Sequence, residues 1–418
     1  MAARRPDTNA DRVAGLGCGT LSEQTGSGNR LVSALGFADG VSSKDQHLVE
    51  RFFTQNQLLD TFSGGSSFSE AVRQQVIPRL VLSRATLLDG FLVCAISWAG
   101  DDADVGVGDR VSTCFRHASS ALANLASLEI TDLPTMTDCL ILGAMLSTFA
   151  MRLRLHDVLA ICRRTLGLIE PIYATVSSSS QKDSPTQSIP GVFLSCMVMW
   201  ELRACLFNCE VPTLRFRPPV QAYADRHVGL CATLLPLFYD ICDISSQLAH
   251  PAAIESGGFQ EEVDSLELSV RQGQPKMPSQ FNTSFGGTDV AHMLCQAQVM
   301  RLAMLLILHR LRQPFGTDDG GVAQMLASAI LTQLEMTFVA TGQHVRCTDL
   351  PLMVACLELR GIERAKWLVD LPAFAGFSTE YGEHVQEALV SFWAALDCST
   401  TISWSDMVRA GAPFLRNP

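Results

Sequence analysis

The sequence predicts an all-α fold, a large helical bundle or array of about ten to twelve helices with two polar inserts. Three observations lead there. Apolar residues recur at three- and four-residue spacing in nearly every ordered stretch, the period of one helical face. The two-residue alternation of β-branched residues that marks strands is almost absent. Hydrophobic residues make up 47% of the chain and charged residues 17%, the reverse of a disordered composition. At 418 residues the chain forms one large body or two closely packed ones.

Residues 1–42, rich in Gly, Ser and Ala without a period, read as a tail. A helical domain then spans 43–410. Its first helix is announced at Ser42-Ser43-Lys44-Asp45-Gln46, where Ser42 precedes Asp45 by three residues as in a capping box, and Leu48, Phe52, Leu59 and Phe62 follow on one face. Phe68, Val72 and Val76 repeat every fourth residue, and Pro78 is expected to end that helix. Leu87 to Trp98 is apolar nearly all round and predicts a central buried helix. Asp101 to Asp109 reads as a Gly/Asp connector. Val111, Phe115, Ala118, Leu122 and Leu125 make the next stripe, and Pro134 after Asp132 suits a helical first turn leading to Met136, Leu140 and Leu146. A further helix is expected over Leu155 to Ile169, up to Pro171.

Ser177 to Pro190 is the first polar insert, expected to be a flexible loop. Helical patterning resumes over Val192 to Phe207 and again over Ala222 to Leu248, where Pro236 should kink or divide it. Pro251 to Gly287, with the acidic run Glu261-Glu262-Val263-Asp264, reads as the second insert. Three stripes fill the last third: Val290, Leu294, Ala297, Met304, Leu308 and Leu311; then Met325, Ala329 and Phe338; then Val385, Leu389, Phe392 and Leu396. No fixed-period repeat occurs.

Lys and Arg total 31 against 42 Asp and Glu, a formal net charge of −11. Such a chain does not neutralise a phosphate backbone by bulk charge. The longest apolar run, Cys139 to Met151, already includes Ser147 and Thr148 and stops at Arg152, short of the roughly 18 residues of a membrane span, so no membrane crossing is expected. The start, Met-Ala-Ala-Arg4-Arg5-Pro6-Asp7, lacks the apolar stretch of a secretory signal. The 14 cysteines, among them Cys94, Cys139, Cys162, Cys196, Cys295 and Cys356, sit singly in apolar helical stretches, as reduced thiols filling a core do. In that reading the sequon Asn282-Thr283-Ser284 is a chance match.

Zinc sites need paired thiolates or imidazoles that converge on a tetrahedron. Cys205 and Cys209 are one turn apart with no second pair near them, and His292 and His309 are too far apart in one helix to share a metal. His117, His156 and His384 read as hydrogen-bonded or partly exposed residues. In Asp101-Asp102-Ala103-Asp104-Val105-Gly106, Gly106 stands where a calcium loop needs its third ligand and Thr113 where it needs its closing Glu. Val105 likewise breaks a magnesium-binding aspartate cluster. Gly15-x-Gly17-x-Gly19 lacks the Lys-Ser/Thr of a phosphate loop, and no nucleophile elbow or His-Glu-x-x-His occurs. No catalytic, cofactor-binding or metal-binding residue is assigned, and no cofactor is expected. Basic groups at Arg152, Arg154, His156, Arg163 and Arg164, at Arg215 and Arg217, and at Arg310 and Arg312 read first as solvated faces or helix C-termini, and second as contacts for a protein partner.

Four stretches taken in order resemble the fungal-specific transcription factor domain, the regulatory region of zinc-cluster transcription factors. The first is Val76-Ile77-Pro78-Arg79-Leu80 with Leu87-Leu88 and Phe91 to Trp98. The second is Phe115-Arg116-His117-Ala118 with Ala121-Leu122, then Asp138-Cys139-Leu140-Ile141-Leu142-Gly143. The third is Leu308-His309-Arg310-Leu311-Arg312-Gln313-Pro314-Phe315-Gly316. The fourth is Leu350-Pro351-Leu352 with Ala355 and Glu358, then Phe392-Trp393 and Ile402-Ser403-Trp404. The similarity runs from Asp45 to Asp406.

The resemblance implies an all-α regulatory and interaction domain, nuclear, tied to control of a biosynthetic gene cluster. The family's DNA-binding module uses six thiolates around two zinc ions. Only Cys18 precedes Cys94 here, so neither zinc binding nor direct sequence-specific DNA reading is carried over. The expected partners are a DNA-binding transcription factor or a co-regulator, with a small-molecule effector as a further option, and a homo- or heterodimer is compatible. The effector would enter an apolar pocket, whereas a co-regulator would lay an amphipathic helix in an exposed groove. An all-α small-molecule-processing enzyme and a cytosolic helical scaffold are the alternative readings.

Overall fold

A computed structural model of the chain describes residues 41–54, 62, 64–98, 107–153, 157–179, 189–217, 222–248, 258–374, 379–398 and 401–409. Among them are sixteen α-helices, one 3₁₀ turn and no strand. The all-α expectation holds, while the number of helices exceeds the ten to twelve expected because several are short. Residues 1–40 of the predicted tail, 180–188 of the first insert and 101–106 of the expected Asp101–Asp109 connector lie outside the described residues, while the connector's last three residues belong to a helix that begins at Val107.

Local signals start the first helices as the sequence indicates. At α1 (Ser43–Thr54) the Ser42 hydroxyl accepts the Asp45 N–H at 3.1 Å. At α5 (Leu133–Arg152) the Asp132 carboxylate accepts the Thr135 N–H at 2.8 Å, and the Thr135 hydroxyl accepts the Asp132 N–H, with Pro134 in the first turn. Both caps satisfy N–H groups that a helix leaves unpaired at its start.

Prolines act differently from expectation. Pro78 lies inside α2 (Ser66–Leu82), which runs on to within one residue of α3 (Arg84–Trp98). The missing N–H costs one helical bond, but the next residue anchors the turn. Arg79 donates to both carboxylate oxygens of Asp138 at 2.9 and 2.6 Å, to the Ser83 hydroxyl at 3.0 Å and to the Pro134 carbonyl at 3.1 Å. Pro171 is likewise inside α6 (Val158–Ser179), and beyond it the Tyr173 hydroxyl accepts the Arg217 N–H at 3.0 Å. Pro236, by contrast, divides the expected stretch as anticipated, standing in the first turn of α8 (Leu235–Leu248). The expected helix over Ala222 to Leu234 is replaced by a turn and a 3₁₀ segment, Leu230–Leu234. There the buried Asp225 carboxylate accepts the N–H groups of His227 and Val228 at 2.8 and 2.9 Å, so a side chain satisfies the backbone in place of a helical ladder.

The N-terminal half centres on α5, buried from Met136 to Met151. It packs against α3, α6, α7 (Ile189–Asn208) and α4 (Val107–Ser127). Around α3, Phe91 meets Phe52 edge-on at 5.1 Å. The second predicted insert is in part helical: α9 (Phe259–Gln272) and the single turn α10 (Phe281–Ser284) lie within it. α9 buries Val263, Leu266 and Val270 on one face, and Glu261 and Glu262 suit its positive N-terminal end.

The C-terminal half is built around α11 (Gly287–Arg312), which touches α8, α9, α12 (Val322–Thr341) and α13 (Asp349–Leu357). α14 (Ile362–Phe374), α15 (Thr379–Cys398) and α16 (Trp404–Arg409) complete the chain. One continuous apolar core joins both halves. Stripes over Phe68, Val72 and Val76, and over Val385, Leu389 and Phe392, are buried as expected. Two other stripes are not. In α4, Val111, Phe115 and Leu122 face outward while Ala118 and Leu125 are buried, and in α12 Met325 is exposed.

Four helical segments, Leu133–Arg152, Gly191–Asn208, Gly287–Arg312 and Val322–Thr341, are long and apolar enough by length and composition to cross a membrane. This corrects the expectation drawn from uninterrupted apolar runs, since small polar residues interrupt these helices without lowering their mean hydropathy much. The first three segments are 83%, 89% and 67% buried within the protein, whereas the last is 39% buried.

Candidate functional site

A recess opens between α4, α5 and α6. Leu122, Leu125, Leu146, Phe149 and Ile161 wall it, with Asp157 and Arg164 among its lining residues, and it encloses about 390 Å³. Its wall follows from the helical period: α4 packs on α3 through Cys114, Ala118, Ala121 and Leu125, which turns Leu122 and Phe115 off that contact. Phe115 leans edge-on against Phe149 at 5.9 Å. Arg164 donates to the Ala126 carbonyl at 3.1 Å, one bond of the five its guanidinium can make. The volume and apolar walls suit the body of a small molecule, with charged groups to orient it.

A second, polar seam lies between α7, the 222–229 turn, the segment before α13, and α15. Ser195 donates to Asp225 at 2.8 Å. The Sγ of Cys347 lies 3.7 Å from Nδ1 of His227, and Cys347 adopts a left-handed backbone, φ 55°. Arg203, buried on α7, donates to the Tyr381 hydroxyl at 2.9 Å, while its Nε has no partner. Burial sets the chemistry of this seam. It pushes the Cys347 thiol up to about 12 and the His227 imidazole down to about 4, so both are neutral near pH 7. A nucleophilic cysteine needs the thiolate, and this pair holds a thiol. Burial likewise raises the Asp225 carboxyl, against the pull of the backbone N–H groups of Val228 and His227 and the Ser195 hydroxyl.

The basic clusters are tied to the protein's own groups. Arg310 is not a solvated C-terminal cation: it is buried, donates to both oxygens of Glu358 at 2.6 Å and lies 3.2 Å from Asp319. Arg312 pairs with Asp264 and Glu267. Arg163 reaches Glu210 at 2.5 Å and Glu201 at 3.9 Å, and Arg215 pairs with Asp240 and Asp243. Arg152 donates to the Ser97 carbonyl at 2.8 Å and lies over the Trp98 ring. Arg154 and His156 lie outside the described residues.

Histidines and cysteines follow suit. His117 is buried against Asp89 at 2.6 Å, His292 meets the Thr341 hydroxyl at 3.1 Å, and His309 meets Asp319 at 3.0 Å. Cys205 and Cys209 are buried thiols outside any disulfide, the former facing Arg163 at 3.6 Å and the latter accepting from the Ser245 hydroxyl at 3.4 Å. Among the described residues no three His, Cys, Asp or Glu side chains group as metal ligands.

Neither the recess nor the polar seam was assigned from the sequence. The α4 stripe carries two of the recess residues, Leu122 and Leu125, but its five apolar positions fall within about 80° of one helix face and read as a single packing contact. The seam joins residues up to 178 positions apart, Arg203 and Tyr381, and no local spacing announces it. No family model, no curated protein and no solved structure matches the chain.

Proposed function

We propose that the chain is a transcriptional regulator or co-regulator, of the kind serving a fungal biosynthetic (secondary-metabolite) gene cluster, working in the nucleus through a DNA-binding protein partner. The observation carrying this reading is that the four stretches behind the resemblance meet in two pairs, first with second and third with fourth, through their polar and aromatic residues. Arg79 of the first holds Asp138 of the second, and Arg310 of the third holds Glu358 of the fourth. Phe315 of the third meets Phe392 and Trp404 of the fourth at 5.1 and 6.3 Å, and its backbone bridges Ile402.

The recess between α4, α5 and α6 supplies the regulatory input, as a pocket for a small apolar effector. An occupant favouring one packing of α4 shifts the balance between conformers of different partner affinity. The test pairs transcript profiling with and without the gene with localisation of the tagged chain and capture of its partners. Cluster transcripts should change, the protein should be nuclear, and a DNA-binding factor should co-purify. Ala126→Trp, which fills the recess, should abolish the transcript response while leaving the thermal melt unchanged. Unchanged transcripts together with cytoplasmic protein would overturn the reading in favour of a helical scaffold.

The enzymatic alternative would have to rest on the contact between Cys347 and His227, which burial holds as a neutral thiol and imidazole. It requires a reactive thiol, and a thiol-alkylating probe that left Cys347 unmodified in the folded chain near pH 7 would dispose of it.

A further inference from the structure

The recess between α4, α5 and α6 receives only apolar side chains from α4 and α5, while the α6 side supplies its two charges, Asp157 and Arg164. Those two stand seven residues apart, two helical turns or roughly 10 Å along the axis. Among the described residues neither pairs with an opposite charge. They differ in how they are held. Arg164 crosses the recess to α4, where its Nη2 donates to the Ala126 carbonyl at 3.1 Å. That carbonyl lies in the last turn of α4, which ends at Ser127 and leaves its final carbonyls without helical partners. Both residues of this bond line the recess, so the guanidinium bridges one wall to the other. One N–H serves as the brace and four are left. Asp157 stands one residue before α6, where the positive pole of the helix offsets its charge. Among the described residues no hydrogen bond fixes its side chain.

We propose that the recess selects an apolar molecule ending in a carboxylate, and that Arg164 is the residue deciding the charge. A guanidinium grips both oxygens of a planar carboxylate with two parallel N–H bonds. It is also more weakly hydrated than an ammonium, which suits a cation set beside apolar walls. A group already held in place loses less freedom on binding than a loose one, so a carboxylate gains more from Arg164 than an ammonium gains from Asp157. The hydrocarbon body lies along Leu125, Leu146 and Phe149, in a volume of about 390 Å³ that falls within the range of small-molecule sites. The inference rests on the effector pocket proposed above and adds the chemical class of the effector.

Isothermal titration calorimetry of the full chain with decanoate, decanol and decylamine tests it. Decanoate should bind about tenfold or more tightly than either of the others, the scale of a charge-assisted pair. Arg164→Leu, a change at an exposed position, should weaken decanoate about tenfold or more and leave decanol unmoved, a split that a merely structural role for Arg164 would not produce. Arg164→Lys should recover part of the loss, as a point charge without the fork. Ala126→Trp should abolish decanoate binding with an unchanged thermal melt. Decanol or decylamine binding as tightly as decanoate overturns the proposal, as does a decanoate affinity unmoved by Arg164→Leu. Binding retained in Ala126→Trp, or no binding of any of the three, overturns it as well. The regulatory reading fails separately: if Ala126→Trp abolishes the transcript response while decanoate is not preferred, regulation through the recess stands and the carboxylate falls.

Discussion

Arg310 illustrates how far a residue's surroundings outweigh its sequence neighbourhood. It ends a long helix, where a cation ordinarily meets solvent and the negative pole of the helix. The chain instead folds Glu358 onto it, 48 positions away, with both charges buried. Breaking such a pair leaves an uncompensated buried charge, which costs about 3–5 kcal/mol. Arg310→Met should therefore lower the urea midpoint sharply, and Arg310→Met with Glu358→Met should recover most of the loss. His227 makes a pH-dependent contribution. Burial takes its imidazole from 6.5 to about 4, so between those values the unfolded chain binds a proton that the folded chain refuses. Stability falls as pH drops through that window, by about 3 kcal/mol at most for a shift of this size. His227→Gln should flatten the loss of stability with acidification across that range in denaturant titrations, even if the variant is less stable at pH 7.

At the scale of elements, capping chemistry is local and was legible, whereas helix ends at proline were not. Ser42 and Asp132 satisfy backbone groups a few residues away, so their roles can be read from order alone. Pro78 and Pro171 read as helix ends, yet the helices run on, tied beyond those prolines by Arg79 on Asp138 and by the Arg217 backbone N–H on the Tyr173 hydroxyl. The pairing of α5 with α6 depends on a small residue: a Cβ on Gly143 would stand 2.3 Å from the Thr165 hydroxyl and 2.6 Å from its methyl. Thr165 is buried and its hydroxyl bonds the Ile161 carbonyl at 2.8 Å, so it has little room to yield. Gly143→Ala should destabilise the fold by about 1–3 kcal/mol through overpacking, read as a drop in melting temperature. Gly167→Ala, whose added Cβ would meet only ordinary contact with Thr213 at 3.8 Å, should be neutral or stabilising.

The whole molecule is closed by its last described helix. The Trp404 ring stacks on Phe207 at 5.6 Å and donates Nε1–H to the Leu206 carbonyl at 3.3 Å, nearly 200 residues back along the chain. The same ring faces Phe315, so one side chain joins α7, the loop after α11 and the C-terminal end. Trp404→Ala should cost about 3–5 kcal/mol, and a single cooperative transition by both fluorescence and circular dichroism would show that the two halves melt together. Two separate transitions would mean that the shared core does not couple them.

Composition and a helical period, both properties of neighbouring residues, determined by themselves that this chain is all-helical, where most helices lie and which caps begin them. They also placed Phe52, Phe91 and Phe392 in the core. Only the tertiary structure decided which apolar faces stay bare. An apolar stripe records the capacity for burial, while burial itself depends on whether another helix arrives, and Met325 and Leu122 show the same pattern as buried residues without the covering partner. Tertiary structure alone likewise decided that Arg310 is buried and that Cys347 meets His227, because both depend on the approach of segments that share no local signal.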